Sequence, residues 1–283
     1  MNSSPSLSVK RVLVLRYSQS GQLDEVADRV VAPLKADPGI QVHEETLHPQ
    51  APYPFPWPFL SFFDAFPESA HMKPQPLAPL SLTGEEDFDL VVLPYQVWFL
   101  APSQPVAAFL KHPVAARLLK GKPVVTVIAC RNMWLLAQEK LKGMLDDVGA
   151  RLIDNVVLTD PGPTLATFLT TPAWLIWGRK RGFWGMPDAG LSTDQIAGTS
   201  RFGRALRDAL HTDLERGTQP LLLLYVLFLL VLIITVVPVS LSLQALLRPL
   251  FRGWLTRMTA KFECPSGSAT DRTPLYDDCL NKF

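Results

Sequence analysis

The chain has 283 residues, enough for one sizeable core plus appendages, and its 27 Lys and Arg nearly balance 26 Asp and Glu. That balance selects no charged partner. No Lys/Arg run interleaves with base-stacking aromatics, which argues against nucleic acid. The start, "MNSSPSLSVKRVLVL", is Ser-rich and polar and runs directly into an apolar stretch without a cleavable-signal pattern, so the globular part is expected to stay where it is made, in the cytoplasm.

"RVLVLRY" (11–17) reads as a buried strand, and Leu23, Val26, Ala27, Val30, Val31 and Leu34 then mark one face of a 3.6-residue period. "IQVHEETL" (40–47) reads as a half-exposed strand, while "FDLVVLP" (88–94) and "PVVTVIA" (123–129) are near-continuous apolar strands, the pattern of a sheet covered on both faces. Helices are expected over 104–119 and 133–149, the second with Asn132 as N-cap and Gly149 as its stop, and "RLIDNVVL" (151–158) closes the series. Strands alternating with crossover helices predict an α/β fold, a doubly wound five-stranded parallel sheet of order 2-1-3-4-5, within residues 1–215. A last helix over 192–214 opens on a Ser192-x-x-Gln195 capping box, and Ile196, Phe202, Leu206, Ala209 and Leu210 should pack it onto the sheet.

Two insertions interrupt this pattern. Residues 49–82 are dense in Pro and aromatics; the recurrent Pro predicts no helix there, but either an extended loop packed by its own Phe and Trp or a hydrophobic ligand wall. Residues 164–187 place Trp174, Trp177, Trp184 and Phe183 beside Arg179, Lys180 and Arg181, the composition of a membrane-interface contact; a buried irregular segment is the alternative.

Residues 216–262 form a hydrophobic unit with a basic flank, followed by a tail at 263–283. Between Gly217 and Leu247 there is no charged residue, and 220–237 alone holds fifteen Leu, Ile, Val or Phe. Insertion of those fifteen is favourable by about 6 kcal/mol before polar positions are subtracted, and an eighteen-residue helix is about 27 Å long, close to the hydrocarbon thickness. Residues 1–173 carry 14 basic and 17 acidic side chains, against 11 and 5 in 174–262, so the basic excess surrounds the most apolar stretch. Arg216 on one side and Arg248, Arg252, Arg257 and Lys261 on the other leave a single span and a re-entrant hairpin turning near Pro238 both open. Either tethers the globular domain to the cytoplasmic membrane, facing the cytoplasm.

The loop "SQSGQ" between the first strand and helix exposes backbone N–H groups at a helix N-terminus, where the dipole favours an anion. It lacks the Lys of a triphosphate loop, which suits a single phosphate. Ser18 and Ser20 would donate hydroxyl hydrogen bonds, Gly21 permits close approach, and Gln19 and Gln22 belong to the same cradle. At the same sheet edge the next loops supply Tyr95, Gln96, Trp98 and Phe99, then Arg131 and Asn132, flat walls and amides for a planar ring. The alternative for Tyr95 and Trp98 is packing against the Pro-rich insertion. Cys130, Cys264 and Cys279 have no metal-ligand spacing and leave one over, so neither a metal centre nor a disulfide framework is expected. Cys130 ends a buried strand, where packing is the commoner role; Arg131 could lower its pKa, and His112 is a surface residue in "KHPVAA".

"RYSQSGQ" resembles the phosphate loop of flavodoxin-like proteins, including flavin-dependent quinone reductases, and "PYQVWFLAPSQPVAAFL" resembles their second flavin loop. This likeness, over about residues 10–160, implies a flavodoxin-like fold and FMN binding; it departs at Gln22, where flavodoxins carry a Thr hydroxyl, and at the aromatic insertion. "YSQSGQL", "PFPWPFLSFFDAFPES", "YQVWFLAPSQP" and "RNMWLLAQEK", with the hydrophobic C-terminal segment, resemble the bacterial dialkylresorcinol condensing enzyme family of aryl-lipid and pigment synthesis. The resemblances imply a membrane-tethered FMN-dependent enzyme acting on a lipophilic aromatic or polyketide-derived substrate. The alternative is a non-redox auxiliary that docks a ketosynthase or acyl carrier protein at the membrane.

Overall fold

The computed structural model describes residues 9–213. Five parallel strands form one sheet, β1 (Lys10–Arg16), β2 (Ile40–Thr46), β3 (Leu90–Trp98), β5 (Pro123–Cys130) and β6 (Arg151–Thr159), in the order β2-β1-β3-β5-β6. A sixth strand of two residues, β4 (Ala101–Pro102), pairs antiparallel with the end of β3. Numbered along the parallel sheet alone, the order is 2-1-3-4-5, the flavodoxin-like doubly wound arrangement expected from the sequence.

Side chains alternate across the strands and divide the core in two. Val12, Val14, Val92, Val125 and Val127 face α1 (Gln22–Lys35), α7 (Thr193–Gly198) and α8 (Ser200–His211). Leu13, Leu15, Val91, Leu93 and Ile128 face α3 (Gln104–Lys111), α4 (Pro113–Leu119) and α5 (Leu135–Asp147). Both faces are covered, which is why the central strands read as unbroken apolar runs.

Four expectations are corrected locally. The helix expected over 104–119 is two helices, because Pro113 pushes His112 into an extended conformation (φ −75°, ψ 140°). The helix expected over 192–214 is likewise two, α7 and α8, divided at Thr199, although its Ser192–Gln195 capping box forms. Furthermore, α8 packs chiefly against α1, with Phe202, Leu206 and Leu210 joining the core cluster on that face of the sheet. A Cβ at Gly203 would lie 1.9 Å from the Val30 carbonyl oxygen, so only glycine permits that approach. The N-cap of α5 is Trp134, with no side-chain cap, while Asn132 only accepts the Trp134 N–H at its carbonyl (2.9 Å). Its stop at Gly149 (φ 72°) is as expected: Gly149 and Ala150 donate to Asp146 and Leu145, a Schellman ending.

The fourth correction is the insertion, which contains the helix α2 (Phe59–Ala70). The Pro-free run between Pro58 and Pro67 is long enough for helical turns, with Pro58 harmless at the N-cap. Gln104, nearly fully buried at the start of α3, fixes the helix by donating to Ala65 O (3.2 Å) and Ser69 Oγ (3.0 Å) and accepting from the Tyr53 hydroxyl. Residues 164–187 are likewise not irregular throughout: α6 (Thr164–Trp177) occupies the first half. Among the described residues no helix is long and apolar enough to cross a membrane; the hydrophobic unit at 216–262 and the tail at 263–283 lie outside them.

Candidate functional site

Beyond the carboxyl ends of β1, β3 and β5 lies a cleft of about 200 Å³. This edge includes the β1/β3 boundary, where strand order reverses and where open α/β sheets bind ligands. Its floor is Gln96 and Val97 of β3 with Ala129 and Cys130 of β5; Trp57, Phe62, Trp98 and Phe99 form one wall, and Thr171, Trp174 and Leu175 of α6 the other. Gln19, Ser20, Gln22 and Leu23 close one end with Gly190 and Leu191.

The loop entering α1 has the features of an anion cradle. The backbone N–H groups of Ser18, Ser20, Gly21, Gln22 and Leu23 have no partner among the described residues. The Ser18 hydroxyl is buried and also without a partner. Gly21 is the N-cap, at φ 81°, a left-handed conformation that turns the loop into the helix. Unpaired N–H groups and the helix dipole together favour a negative group there. Arg16 contributes little to it, being held by Asp28 (2.6 Å), Glu44 (2.7 Å) and the Asp24 carbonyl (3.0 Å).

Not every sequence candidate reaches this cleft as expected: Ser18 and Gly21 belong to the loop but are not among the residues that line it. Gln19 lines it, but its N–H donates to Gln96 Oε1 (3.3 Å) and its side-chain amide to Pro54 O (2.9 Å), tying the loop to β3 and to the insertion. Gln22 lines it too, with its side chain directed elsewhere: Oε1 accepts Leu191 N–H (2.9 Å) and Nε2 donates to Leu191 O (3.0 Å). It therefore acts as a clasp for residues 190–191, where the expected role was a ligand amide. The clasp is tight, since a Cβ at Gly190 (φ 84°) would stand 2.6 Å from Gln22 Oε1 and 2.7 Å from the Trp174 ring.

Tyr95 is not in the cleft. Strand β3 continues to Trp98, four residues further than the sequence pattern suggested, and its alternation sends Tyr95 into the core, fully buried. There its hydroxyl donates to Gln138 Oε1 (2.7 Å), and Gln138 donates in turn to Thr126 Oγ1 (3.2 Å). Asn132 is exposed and lies outside the lining, so it offers no amide to a ring. Gln96, Trp98, Phe99 and Arg131 do line it. Phe99 and Leu100, at φ 50° and 60°, form the turn between β3 and β4 that presents Trp98 and Phe99.

The aromatic wall is built jointly by that hairpin and the insertion. Trp98 packs edge-on against Tyr17 (6.0 Å between centroids), Tyr53 (4.9 Å) and Trp57 (5.5 Å), and Phe99 meets Phe62 (4.9 Å) and Phe66 (5.1 Å). The insertion packs by its own aromatics, around a helix and not as the extended loop expected, and Trp57 and Phe62 from it line the cleft. It also bridges the cleft, because Trp57 N–H donates to the Leu175 carbonyl (2.7 Å) across the opening. Burial raises the Tyr53 hydroxyl to about 12, so it is a neutral donor at physiological pH.

Cys130 and His112 do not form a nucleophile–base pair. His112 caps α4, its Nδ1 accepting the Val114 N–H (3.3 Å), and is not part of the cleft. Burial pushes the Cys130 thiol up to about 12 against the opposing pull of Arg131, so it is not a thiolate at neutral pH. Arg131 lies 3.8 Å over the Phe168 ring and donates to Thr167 Oγ1 (3.3 Å). Sequence reasoning missed Trp57 and Phe62 as individual wall residues, and Thr171, Trp174, Leu175, Gly190 and Leu191 altogether. The last five lie far beyond the loops of the parallel strands, and no spacing rule points back from them.

No family model matches the chain, and no curated protein matches it. Solved structures with a similar arrangement are flavodoxin-like. A flavoprotein in complex with FMN from Lactobacillus acidophilus NCFM is 15% identical, with 52% of this chain and 93% of that one covered and a TM-score of 0.41. A flavodoxin from the domain Archaea is 10% identical (71% and 99% covered, TM-score 0.38). Oxidised flavodoxin 1 from Bacillus cereus is 13% identical (69% and 95% covered, TM-score 0.38). The flavodoxin-like fold of this chain rests on its own strand order.

Proposed function

We propose that this chain binds FMN in the cleft and acts on a lipophilic aromatic or polyketide-derived substrate. The observation that carries the reading is the α1 entry: five backbone N–H groups and the buried Ser18 hydroxyl, all without a partner among the described residues, at the switch point of the sheet. Loop residues 18–22 would hold the phosphate, with Ser18 and Ser20 as hydroxyl donors and Gly21 keeping the backbone close. Trp57, Trp98 and Phe99 would border the ring, and Gln96 supplies an amide on the floor. When bound, FMN supplies hydride and electron transfer. The protein's part is binding, orientation and exclusion of water: the Trp57–Leu175 bridge and the aromatic wall shield the floor, and the apolar lining selects a greasy substrate.

The test is titration of the purified full chain, in mild detergent, with FMN, followed by flavin absorbance and fluorescence. Saturable binding is expected, weakened about tenfold to a hundredfold in Ser18→Ala, the loss for removing one hydrogen bond to a charged group. A protein that FMN neither colours nor stabilises thermally overturns the reading.

One observation favours a second reading. Trp98 already packs edge-on against three rings, and Gln22 is spent on Leu191, which narrows the cleft for a flat tricycle and suits a chain-like acyl group. The chain would then be a non-redox auxiliary of aryl-lipid synthesis, partnering a ketosynthase or acyl carrier protein. Failure of FMN titration together with co-purification of such a partner supports it; unchanged lipid products after deletion exclude it.

A further inference from the structure

Two helices beside the cleft are built inside out. Helix α6 buries Thr167, Thr170 and Ala173, while Leu165, Phe168 and Leu169 on its outer stripe are 81%, 56% and 54% exposed. Helix α2 buries only Ala65 and Ser69 and leaves Phe59, Leu60, Phe63 and Phe66 exposed. These four recur at i, i+1, i+4 and i+7, one stripe of a helix, and Asp64 and Glu68 lie off it. A third group, Met133, Leu135 and Leu136 at the start of α5, is exposed as well.

These groups are continuous around the cleft. Arg131 spans from Phe168 of α6 (3.8 Å) to Met133 (3.7 Å), Phe62 and Phe66 of α2 pack on Phe99 of the β3–β4 turn, and Trp57 ties the start of α2 to α6. A soluble surface scatters its exposed apolar residues singly; a rim of this extent marks an interaction site.

What the rim faces is indicated by its margin. Immediately after α6, Trp177 (72% exposed) and Trp184 (91% exposed) flank the exposed Arg179, Lys180 and Arg181. The Arg179 guanidinium lies over Phe183 (4.8 Å) and the Lys180 ammonium over the Trp174 ring (5.5 Å), so aromatic and cationic groups are interleaved. Between residues 164 and 187 there is no acidic side chain; Asp188 follows, accepting the Gly182 N–H (2.9 Å). Apolar side chains outward, Trp at the boundary and Lys/Arg beside them are what a bilayer surface selects: acyl chains take the first, the interface takes the indoles and anionic headgroups take the cations.

We infer that the cleft-bearing face of the domain, the outer stripes of α2 and α6 with the 177–184 turn, sits on an anionic lipid surface, so that the cleft opens toward the bilayer. This goes beyond the cofactor reading and is independent of it: the face is apolar whether or not the cleft takes FMN.

The full-length protein is reconstituted with vesicles of phosphatidylcholine and phosphatidylglycerol carrying a photoactivated carbene precursor on the acyl chain, and adducts are located by peptide mass spectrometry. Adducts are expected on peptides holding Phe63, Phe168 and Trp184 and not on α1, with a marked loss from α6 when Arg179, Lys180 and Arg181 are all changed to Glu. Adducts confined to residues beyond 213 overturn the inference, as does labelling unchanged by the charge reversal. FMN titration of the same samples reports separately on the cleft.

Discussion

Helices α1 and α6 have the same length, fourteen residues, and opposite construction. The first buries Leu23, Val26, Ala27, Val30, Val31 and Leu34 against the sheet and turns Asp24, Glu25 and Asp28 outward. The second turns threonines inward and Leu165, Phe168, Leu169 and Trp177 outward. Apolar burial drives the docking of α1, whereas α6 places its largest apolar surface where it gains nothing from folding. The start of α1 closes one end of the cleft, and the inner side of α6 forms one wall. One boundary thus belongs to a core helix and the other to a helix whose apolar stripe stays exposed.

The contrast makes predictions of graded size. The largest concerns the cleft floor beneath α6. In a Cys264→Ser, Cys279→Ser background, Cys130 should alkylate about a thousandfold more slowly at neutral pH than a thiol of pKa 9.0, with reaction rising only as pH approaches 12. The sign follows from burial, which disfavours the thiolate; fast alkylation near neutral pH would mean that the floor is open. Next, Leu34→Ala in α1 should lower unfolding stability by about 2–5 kcal/mol in denaturant titration, because the side chain is fully buried. Gln22→Ala removes both hydrogen bonds to Leu191 and should cost about 1–3 kcal/mol, with faster amide exchange at 190–191 as the local signature. Smallest of all, Leu169→Ala in α6 should change stability by less than about 0.5 kcal/mol; a loss like that of Leu34 would show that α6 docks through its outer stripe.

The sheet was legible because each parallel strand carries its own burial pattern and each crossover helix its own period. The strand bounds of β2 and β5 were accordingly close, and the position of the α1 loop followed from topology. Local rules failed where one residue has two allowed fates. Tyr95 could end a strand or begin a loop, and the pairing of β3 with β5 decided it for the core. The Gln22 amide could meet a ligand or a carbonyl, and Leu191, far away in sequence, claimed it.

By itself, then, the amino-acid sequence determined the wound parallel sheet, the anion-favouring loop at the start of α1 and the unusual Trp–Arg composition after residue 173. Tertiary structure alone decided that α2 is a helix held by Gln104, that α6 closes the cleft, and that Phe59, Phe63 and Phe66 of the one and Phe168 and Trp177 of the other look outward. The reason is physical: periodicity reveals that a helix has an apolar face, while which face meets the core depends on partners hundreds of atoms away along the chain.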